Sequence, residues 1–328
     1  MKVAILYNEP ALTGREFSEA SIDVLTQVEA VERALAELEY ESTRIAFTKD
    51  VGAVVQKLAE EKPHLVMNLC ESVDEDPLLI GHPAAVLELL DIPFSGSPTA
   101  ALMLSTDKLV SKRLLSSCGF KTPRFEAYEG NEVPALEKLN FPVIVKPRFE
   151  DASVGIDQES VFREANKLRA GLRDLFQRYG CLLIEEYIAG REFNISLFGF
   201  PVPETLPIAE IDFDGFPPDL FRIVGYRAKW DVSSFEYQHS RRTFPRLPRP
   251  LARKLEETAL ECFSLFGLRD YGRVDVRVDD RGRVFVLEVN ANPCISPDAG
   301  FAAAGNQNDL HYVEMIDELL QFVQKRMG

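Results

Sequence analysis

The sequence has few of the residues that mark secreted, disulfide-rich or membrane proteins. Its 328 residues include only five cysteines, widely spaced and without a Cys-x-x-Cys pair. This number and spacing argue against a disulfide framework or a cysteine zinc site, and they favour reduced intracellular thiols. No uncharged apolar run approaches the ~18 residues of a membrane-spanning helix, and the short apolar N-terminal run lacks a signal-peptide pattern. We therefore expect a soluble, cytoplasmic protein.

Positive charge is also scarce. Lysine and arginine total 37 against 52 aspartate and glutamate residues, which gives a net charge of −15. A strongly acidic protein repels polyphosphate and anionic lipid, so nucleic acid and membranes are not expected partners. A few basic side chains can still converge on a small anion. The chain also lacks a Gly-x-Gly-x-x-Gly turn after its first strand, which makes a dinucleotide-dependent oxidoreductase a remote alternative.

The hydrophobic pattern predicts an α/β fold, with α+β character in the C-terminal half. A chain of this length exceeds one hydrophobic core, so two or three lobes are expected. In the first lobe, strands at residues 3–7, 43–47 and 65–68 alternate with helices at 18–38, 51–61 and 84–90. Such alternation is typical of a parallel sheet. The Pro-rich stretch at 93–98 ends this lobe.

The pattern changes beyond that stretch. We predict a helix at 107–118 with Ser105 or Thr106 as N-cap, strands at 124–128, 143–146 and 181–186, and a helix at 161–179. Sheet strands follow at 193–198, 205–213, 271–278 and 284–290, with helices at 250–266 and 309–323. Residues 214–250 form a long irregular stretch, and in a compact domain such a stretch is usually a lid or binding loop.

The strongest chemical signal lies in the last two strands. A period of two places Arg273, Asp275 and Arg277 on one face of the first strand, and Glu288 and Asn290 on one face of the second. Residues 279–282 read as a hairpin turn, so the strands are antiparallel neighbours and these side chains converge. Two carboxylates and an amide oxygen suit Mg²⁺. The alternative is a solvated strand face with ordinary salt bridges.

Two weaker signals precede it. Lys146 closes a buried strand and is followed by a loop with Ser153 and Gly155, which can donate hydroxyl and amide groups to a phosphate. Glu185 and Glu186 close a later strand, where carboxylate and backbone groups can meet an adenine edge. Lys146 can also be a snorkelling lysine, and the acidic pair an ordinary strand end.

Together these motifs resemble the ATP-grasp carboxylate–amine ligases, and most closely the D-alanine–D-alanine ligase branch. The resemblance runs in order through Ser105–Leu109, Pro142–Pro147, Ser153–Gly155, Leu183–Glu185, Gly272–Asp275 and Leu287–Asn290. It implies an ATP-grasp fold in three lobes: a Rossmann-like N-terminal lobe at 1–97, a central lobe at 98–189 and a C-terminal lobe at 190–328. It also implies a homodimer formed through the first lobe.

The resemblance implies roles for individual residues. ATP is expected between the central and C-terminal lobes, with its phosphates on Lys108 and Lys146. Mg²⁺, with Mn²⁺ as a possible replacement, is expected on Asp275, Glu288 and Asn290. The other implied site residues are Glu185, Glu186, Tyr187 and Ile188 around adenine, Glu192 on the ribose, Ser153 in the phosphate loop, Lys229 on the γ-phosphate and Arg273 on the tetrahedral intermediate.

The sequence departs from this family where the first substrate is held. A Glu, a Ser and a Tyr form a hydrogen-bonded group in the D-alanine ligases, and here Gly14, Ala152 and Trp230 take the matching positions. Glu16 replaces the missing Glu only if the N-terminal loop is shifted. A family glycine is Cys294, and the Ser that grips the second substrate is Ala299, beside Asp298. Further candidates for a new substrate pocket are Arg222, His239, Cys70 and Glu71, each of which also has an ordinary structural reading.

We therefore expect an ATP-dependent ligase that joins a small-molecule carboxylate, such as an amino acid or peptide, to an amine through an acyl phosphate. The substrates are predicted to differ from D-alanine plus D-alanine. Three alternatives stay open: a D-alanine–D-alanine ligase proper, an ATP-binding module without activity, and a kinase that stops at phosphorylation. For Cys294, a small apolar side chain that fills the space of a glycine is favoured over a nucleophile.

Overall fold

The computed structural model describes residues 1–10 and 18–327, which form three sheets. The first sheet contains β1 (Lys2–Asn8), β2 (Glu41–Phe47) and β3 (Leu65–Asn68), all parallel, with β1 in the middle. Helices α1 (Ser18–Glu37), α2 (Val51–Glu61) and α3 (Gly81–Leu89) alternate with these strands. The predicted parallel layer is confirmed, and β1 is apolar because both of its faces are covered.

The second sheet is antiparallel. It contains β4 (Phe125–Tyr128), β5 (Val143–Pro147), β6 (Val161–Phe162) and β7 (Leu182–Glu186) in the order β4-β7-β5-β6. Helix α6 (Ala165–Tyr179) buries Leu168 and Leu172 against it. The predicted helix start at residue 161 is wrong, because Val161 and Phe162 pair with Ile144 and Val143 as the edge strand β6.

Two short helices lead into this sheet, α4 (Thr99–Thr106) and α5 (Lys108–Ser117). The predicted N-cap is wrong, because Ser105 and Thr106 are the last residues of α4. Asp107 caps α5 instead, and its Oδ1 accepts hydrogen bonds from the amides of Leu109 and Val110 at 3.0 and 3.2 Å. Asp107 thus ends α4 through its backbone and caps α5 through its carboxylate, which fixes Lys108 as the first residue of α5.

The third sheet is also antiparallel, with β9 (Glu204–Thr205) paired to its central strand. The main path runs in the order β11 (Arg241–Thr243), β10 (Ala209–Asp212), β8 (Arg191–Gly199), β12 (Asp270–Val278) and β13 (Val284–Asn290). The predicted single strand at 205–213 is wrong, since Leu206, Pro207 and Ile208 separate β9 from β10. Proline has no N–H to give to a sheet ladder, which explains the break.

Residues 214–250 are less irregular than their composition predicts. They contain two single-turn helices, α7 (Tyr226–Trp230) and α8 (Phe235–His239), in addition to β11. Helix α9 (Arg249–Phe266) then covers the third sheet, and α10 (Gly300–Asn306) and α11 (Tyr312–Met327) end the described chain. We refer to residues 214–240 as the lid segment, because they contact the phosphate loop described below.

The end of the chain binds back to its beginning. Helix α11 packs on α1 in a core that also holds Tyr271 and Phe301. Asp270, which is buried, accepts a hydrogen bond from the Gly96 amide at 2.9 Å and pairs with Arg326 of α11. The N-terminal sheet and the third sheet are therefore held together through buried apolar and polar contacts.

The structure bears only in part on the remaining general expectations. All five cysteines are free thiols. None of the helices in residues 1–10 and 18–327 has the length and apolarity to cross a membrane. The boundaries at residues 97 and 189, the cytoplasmic location and the homodimer stay predictions.

Gly190, in the connection between β7 and β8, tests the close approach of that connection to β12. Its φ is +138°, and a Cβ there would lie 2.1 Å from the Val278 carbonyl oxygen. We expect Gly190→Ala to lower the free energy of unfolding by about 2 kcal/mol or more, through backbone strain and steric overlap. Gly119 (φ +85°) has no atom within 4 Å of its Cβ position and is the matched control. Equal losses for both alanine variants in urea unfolding would contradict this.

Candidate functional site

A β-bulge determines which side chains of β13 reach the cleft. Asp275 pairs with Glu288, but the next residue of β12, Val276, pairs with Val286, so Leu287 is an extra residue. If the register of Val278–Val284 and Val276–Val286 continued without a bulge, Glu288 would lie opposite the core-facing Val274. The bulge shifts the phase, and Glu288 and Asn290 join Arg273 and Asp275 on one face. The predicted convergence is confirmed, and the device that produces it is the bulge.

The carboxylates on this face are paired with cations. Arg273 donates to both oxygens of Asp275, with Nε–Oδ1 at 2.8 Å and Nη2–Oδ2 at 2.9 Å. Asn194 of β8 donates to the same Oδ1 at 2.9 Å. Lys108 Nζ lies 3.8 Å from Glu288 Oε1 and 3.3 Å from Asp151 Oδ1. One small surface therefore holds three carboxylates together with two cations from different lobes.

Positive charge dominates around Glu288. Burial alone would raise the pKa of this carboxyl, but the charges of Lys108, Lys146, Arg273 and Lys229 together lower it to about 2. Burial of its ammonium and then the charge of Arg273 lower the pKa of Lys229. Such an excess of cations around an ionised carboxylate is suited to a polyanionic ligand.

A buried carboxylate lies between two lysines behind this surface. Glu185 of β7 is 1% exposed, with Lys146 Nζ 3.2 Å from its Oε2 and Lys112 Nζ 3.3 Å from its Oε1. Lys112, equally buried, donates to Thr122 Oγ1 at 2.8 Å and to the Val286 carbonyl at 3.2 Å. Burial lowers the pKa of Lys112 to about 8 despite the opposing charge of Glu185.

The loop after β5 is strained and is covered by the lid segment. Ala152 and Ser153 have φ values of +52° and +64°, which non-glycine residues rarely adopt. Ser153 Oγ donates to the Val224 carbonyl at 2.8 Å, and Trp230 Nε1 donates to the Ala152 carbonyl at 3.1 Å. The Tyr226 amide donates to the Ile156 carbonyl at 2.7 Å. These bonds hold α7, and with it Lys229, over the loop.

The connection between β7 and β8, together with Arg277 of β12, forms a second surface beside the carboxylates, which we call the second wall. Arg277 is buried and donates to Glu192 Oε2 at 2.7 and 3.0 Å and to the Ile188 carbonyl at 2.7 Å. Its guanidinium also lies 4.9 Å from the centre of the Tyr187 ring. Ile144, Val161 and Ile223 form an apolar cluster, with Ile156, Tyr187 and Phe221 packed against it. The wall therefore offers an apolar surface next to polar strand ends.

The sequence and the fold of this chain are both similar to those of known proteins. The family model of the D-Ala D-Ala ligase C-terminus matches residues 117–321. A D-alanine–D-alanine ligase of Aquifex aeolicus is 30% identical over 94% of this chain and 98% of its own length. A Sinorhizobium fredii protein named y4sG is 31% identical over 80% of this chain and 75% of its own length. The chain belongs to the D-alanine–D-alanine ligase family.

The structural comparison identifies the fold. A D-alanine–D-alanine ligase of Bacillus anthracis, solved with ATP, matches with a TM-score of 0.79 and 22% identity over 100% of both chains. The ATP-grasp fold inferred from the motifs is confirmed. As a member of this family, the protein is an ATP-grasp ligase that forms carbon–nitrogen bonds.

The residues of this ligase fit ATP at the second wall. Glu185 Oε1 is buried and has no hydrogen-bond partner among the described residues, although Lys112 lies nearby. The ion pair with Lys112 neutralises this carboxylate but leaves Oε1 able to accept a hydrogen bond, and an adenine amino group is a suitable donor. Glu186 differs from Glu185, because its Oε1 accepts from the Asn140 backbone and side-chain amides at 2.8 Å. The Glu186 amide is also used within the protein, since it donates to the Arg124 carbonyl at 2.9 Å.

The residues also fit Mg²⁺. Asp275, Glu288 and Asn290 offer hard oxygen atoms on one face, and Glu288 stays ionised over the whole physiological pH range. Within residues 1–10 and 18–327, no cluster of three or more His, Cys, Asp or Glu side chains forms a protein-only metal cage. Two carboxylates and one amide leave room for the phosphate oxygens and waters that Mg²⁺ retains.

The predicted substrate residues have different surroundings. Glu16 and Gly14 lie outside the described residues. Cys294 Sγ lies 3.3 Å from Asp23 Oδ2 and 3.4 Å from Ser296 Oγ, and burial followed by the charge of Asp23 raises its pKa. This disfavours a thiolate nucleophile. Asp298 is exposed near Cys294.

Three further candidates have contacts of their own. Glu71 accepts a hydrogen bond from Gln27 at 2.8 Å, and burial raises its pKa to about 7. His239 stacks on Phe235 inside the lid segment, with ring centres 3.9 Å apart. Arg222 contributes backbone atoms to Tyr187 and Arg277.

Sequence reasoning missed two residues of the site, Lys112 and Asp151, and it assigned no role to Arg277, which it placed on the face of Asp275. Lys112 follows Lys108 by one helical turn, and this spacing alone predicts that both lysines share a face. Arg277 follows Asp275 by two residues in β12 and shares its face in the same way. Asp151 had no signal, since its proximity to Lys108 and Glu288 depends on the strained loop.

The lowered pKa of Lys112 makes a testable difference in stability. The folded protein disfavours the charged lysine, and this cost is fully present below pH 8 and relieved as the pH rises toward the ~10.4 of a free lysine. We therefore expect the unfolding free energy of the wild type to increase relative to Lys112→Met over that window. Urea unfolding at several pH values measures it, with Lys167→Met on the exposed face of α6 as control. A difference that does not change with pH would contradict it.

Proposed function

We propose that this protein is an ATP- and Mg²⁺-dependent ligase that joins an amino acid or peptide-like carboxylate to an amine, with a substrate pair other than D-alanine plus D-alanine. The observation that carries the proposal is the convergence of Lys108, Lys146, Lys229 and Arg273 on Glu288. These cations come from the central lobe, the lid segment and the C-terminal sheet. Their convergence supports a triphosphate lying across the cleft with its terminal phosphate under the lid.

The chain's own groups support the first half-reaction through position and charge. Lys108 and Lys146 would hold the phosphates, and Lys229 would contact the γ-phosphate beneath the lid. Asp275, Glu288 and Asn290 would hold Mg²⁺, which supplies charge neutralisation on the phosphate oxygens when bound. A substrate carboxylate would then attack the γ-phosphorus, forming a C–O–P linkage as the bond to ADP breaks. Phosphoryl transfer requires mainly this kind of placement and charge.

The second half-reaction requires a stabilised oxyanion. The amine would attack the acyl carbon, the carbon–oxygen bond to phosphate would break, and the amine would lose a proton as the amide forms. Arg273 would stabilise the negative oxygen of the tetrahedral intermediate, since Asp275 holds its guanidinium in a fixed orientation. Ser153 is held by Val224 and would orient the phosphate loop.

The proposal of different substrates is supported by the contacts at Ala152 and Trp230. The methyl group of Ala152 can neither donate nor accept a hydrogen bond, and the Trp230 indole donates its N–H to a backbone carbonyl. This pair closes the lid without offering hydroxyl groups to a substrate. A Ser–Tyr pair, by contrast, would present two hydroxyls in the same region. A D-alanine–D-alanine ligase proper is the second candidate. It rests on the overall similarity to the Aquifex enzyme and not on these contacts.

The ATP-binding and metal-binding roles give the first activity test. We expect Lys146→Ala and Glu288→Ala each to lower ATP-dependent amide formation at least ~100-fold, because each removes a charge that stabilises phosphoryl transfer. Coupled assays of phosphate release and product mass measure this. Lys167→Ala, an exposed lysine of the same lobe, is the control. Full turnover in either variant would contradict the assignment of the site.

The substrate proposal has its own test. Purified protein is incubated with Mg²⁺-ATP and pairs drawn from D- and L-amino acids and dipeptides, and products are detected by mass. We expect an amide, with one ADP released for each, from a pair other than D-alanine plus D-alanine. Preferred formation of D-alanyl-D-alanine would refute the different specificity and support the second candidate. A stable phosphorylated product without an amide would indicate a kinase.

A further inference from the structure

One arginine near the substrate side of the cleft has a position that no part of the mechanism explains. Arg242 is the middle residue of β11, where it pairs with Ile211 of β10. Its side chain lies over Gly300, the residue after Ala299. A Cβ on Gly300 would lie 3.1 Å from Arg242 Nε, 3.2 Å from Nη2 and 3.3 Å from Cζ. The guanidinium thus occupies space that is available because residue 300 is glycine.

Among the described residues, the Arg242 guanidinium has no ion-pair or hydrogen-bond partner. Among residues 1–10 and 18–327, no carboxylate lies within ion-pair distance of its guanidinium, and no acceptor within hydrogen-bond distance. Asp298 is near enough to act on Arg242 through its charge, as is Arg273 with the opposite effect. Partial burial of the guanidinium, and then the charge of Arg273, lower the pKa of Arg242. The residue as a whole is nevertheless exposed.

Arg273 and Arg277, the other arginines on the cleft face, differ in this respect. Arg273 gives two hydrogen bonds to Asp275, and Arg277 gives two to Glu192. Both are therefore neutralised within the protein. An unpaired guanidinium beside a neutralised one has its planar set of donors available for an anion, and the geometry of those donors matches a carboxylate.

We propose that Arg242 binds the carboxylate of the amine substrate, so that this substrate is an amino acid or a peptide with a free carboxylate. The inference rests on the proposed ligase function and deepens it. Ala299, which precedes Gly300, has no hydroxyl to offer such a carboxylate. Arg242 supplies the missing donors from another strand, and Gly300 leaves the space for its side chain. The amine of the same substrate then faces the acyl carbon next to Arg273.

The test compares each amine substrate with its carboxamide, which has the same amine but no negative charge. The substrates are D- and L-amino acids paired with their amino-acid amides, under Mg²⁺-ATP and with the first substrate identified by the panel described above. For wild-type protein we expect the carboxylate form to be favoured. In Arg242→Gln the KM for the carboxylate form rises about 10- to 100-fold, the loss expected when a charge-assisted pair is removed. The KM for ATP does not change.

Two further variants separate binding from folding. Arg241→Gln removes the same charge from the neighbouring residue of β11, which faces the other side of the strand, and keeps the wild-type preference. Gly300→Ala retains Arg242 but occupies the space beneath its guanidinium, and raises the KM for the carboxylate form while the KM for ATP stays constant. Thermal unfolding of all three variants identifies any loss of folded protein.

The outcomes are distinct for the two levels of the argument. Loss of the carboxylate preference in Arg242→Gln, but not in Arg241→Gln, supports the inference. An unchanged preference in Arg242→Gln, or a wild-type protein that uses carboxamides equally well, overturns the inference and leaves the ligase function intact. Absence of any amide from the wild type over the whole panel overturns the proposed function, and the inference falls with it.

Discussion

Mutual neutralisation of charge in the cleft is the constraint on which the rest of the site depends. An ionised carboxylate removed from water is costly unless a cation or hydrogen-bond donors replace the solvent. Asp275, Glu288 and Glu185 meet this condition through cations that come from different elements of the fold. Glu288 of β13 pairs with Lys108 of α5, and Glu185 of β7 pairs with Lys112 of α5 and Lys146 of β5, so these elements are fixed relative to one another before any ligand binds. The site is therefore preorganised for a ligand that brings both phosphate and metal charge.

Local backbone irregularities produce this arrangement. The extra residue Leu287 turns Glu288 toward the cleft, and the left-handed conformations of Ala152 and Ser153 bring Asp151 beside Lys108. Regular strands and loops would give none of these contacts. The family's chemistry thus depends on a few strained or irregular positions, which the surrounding regular sheets hold in place.

Periodicity predicted the elements well, because burial repeats every two residues in strands and every three or four in helices. It placed Asp275 and Glu288 together, and their neighbourhood is confirmed. It failed where two local solutions were equally good: Ser105, Thr106 and Asp107 are all strong helix caps, and only the packing of α4 decides for Asp107. It also failed for Lys112 and Arg242, whose importance comes from partners, or from the lack of them, in distant parts of the chain. The roles of individual residues toward ATP and Mg²⁺ stay predictions, since they concern ligands.

The bond from Trp230 to the Ala152 carbonyl has a practical consequence. Trp230 is the only tryptophan in the chain, and its indole lies at the contact between the lid segment and the phosphate loop. Loss of this bond would change the exposure of the indole to water and shift its emission, and excitation beyond the absorption of the nine tyrosines selects the indole. The chain therefore has an intrinsic fluorophore at the contact between the lid segment and the phosphate loop. Any rearrangement at this contact can be followed in the unmodified protein, without a label and without turnover.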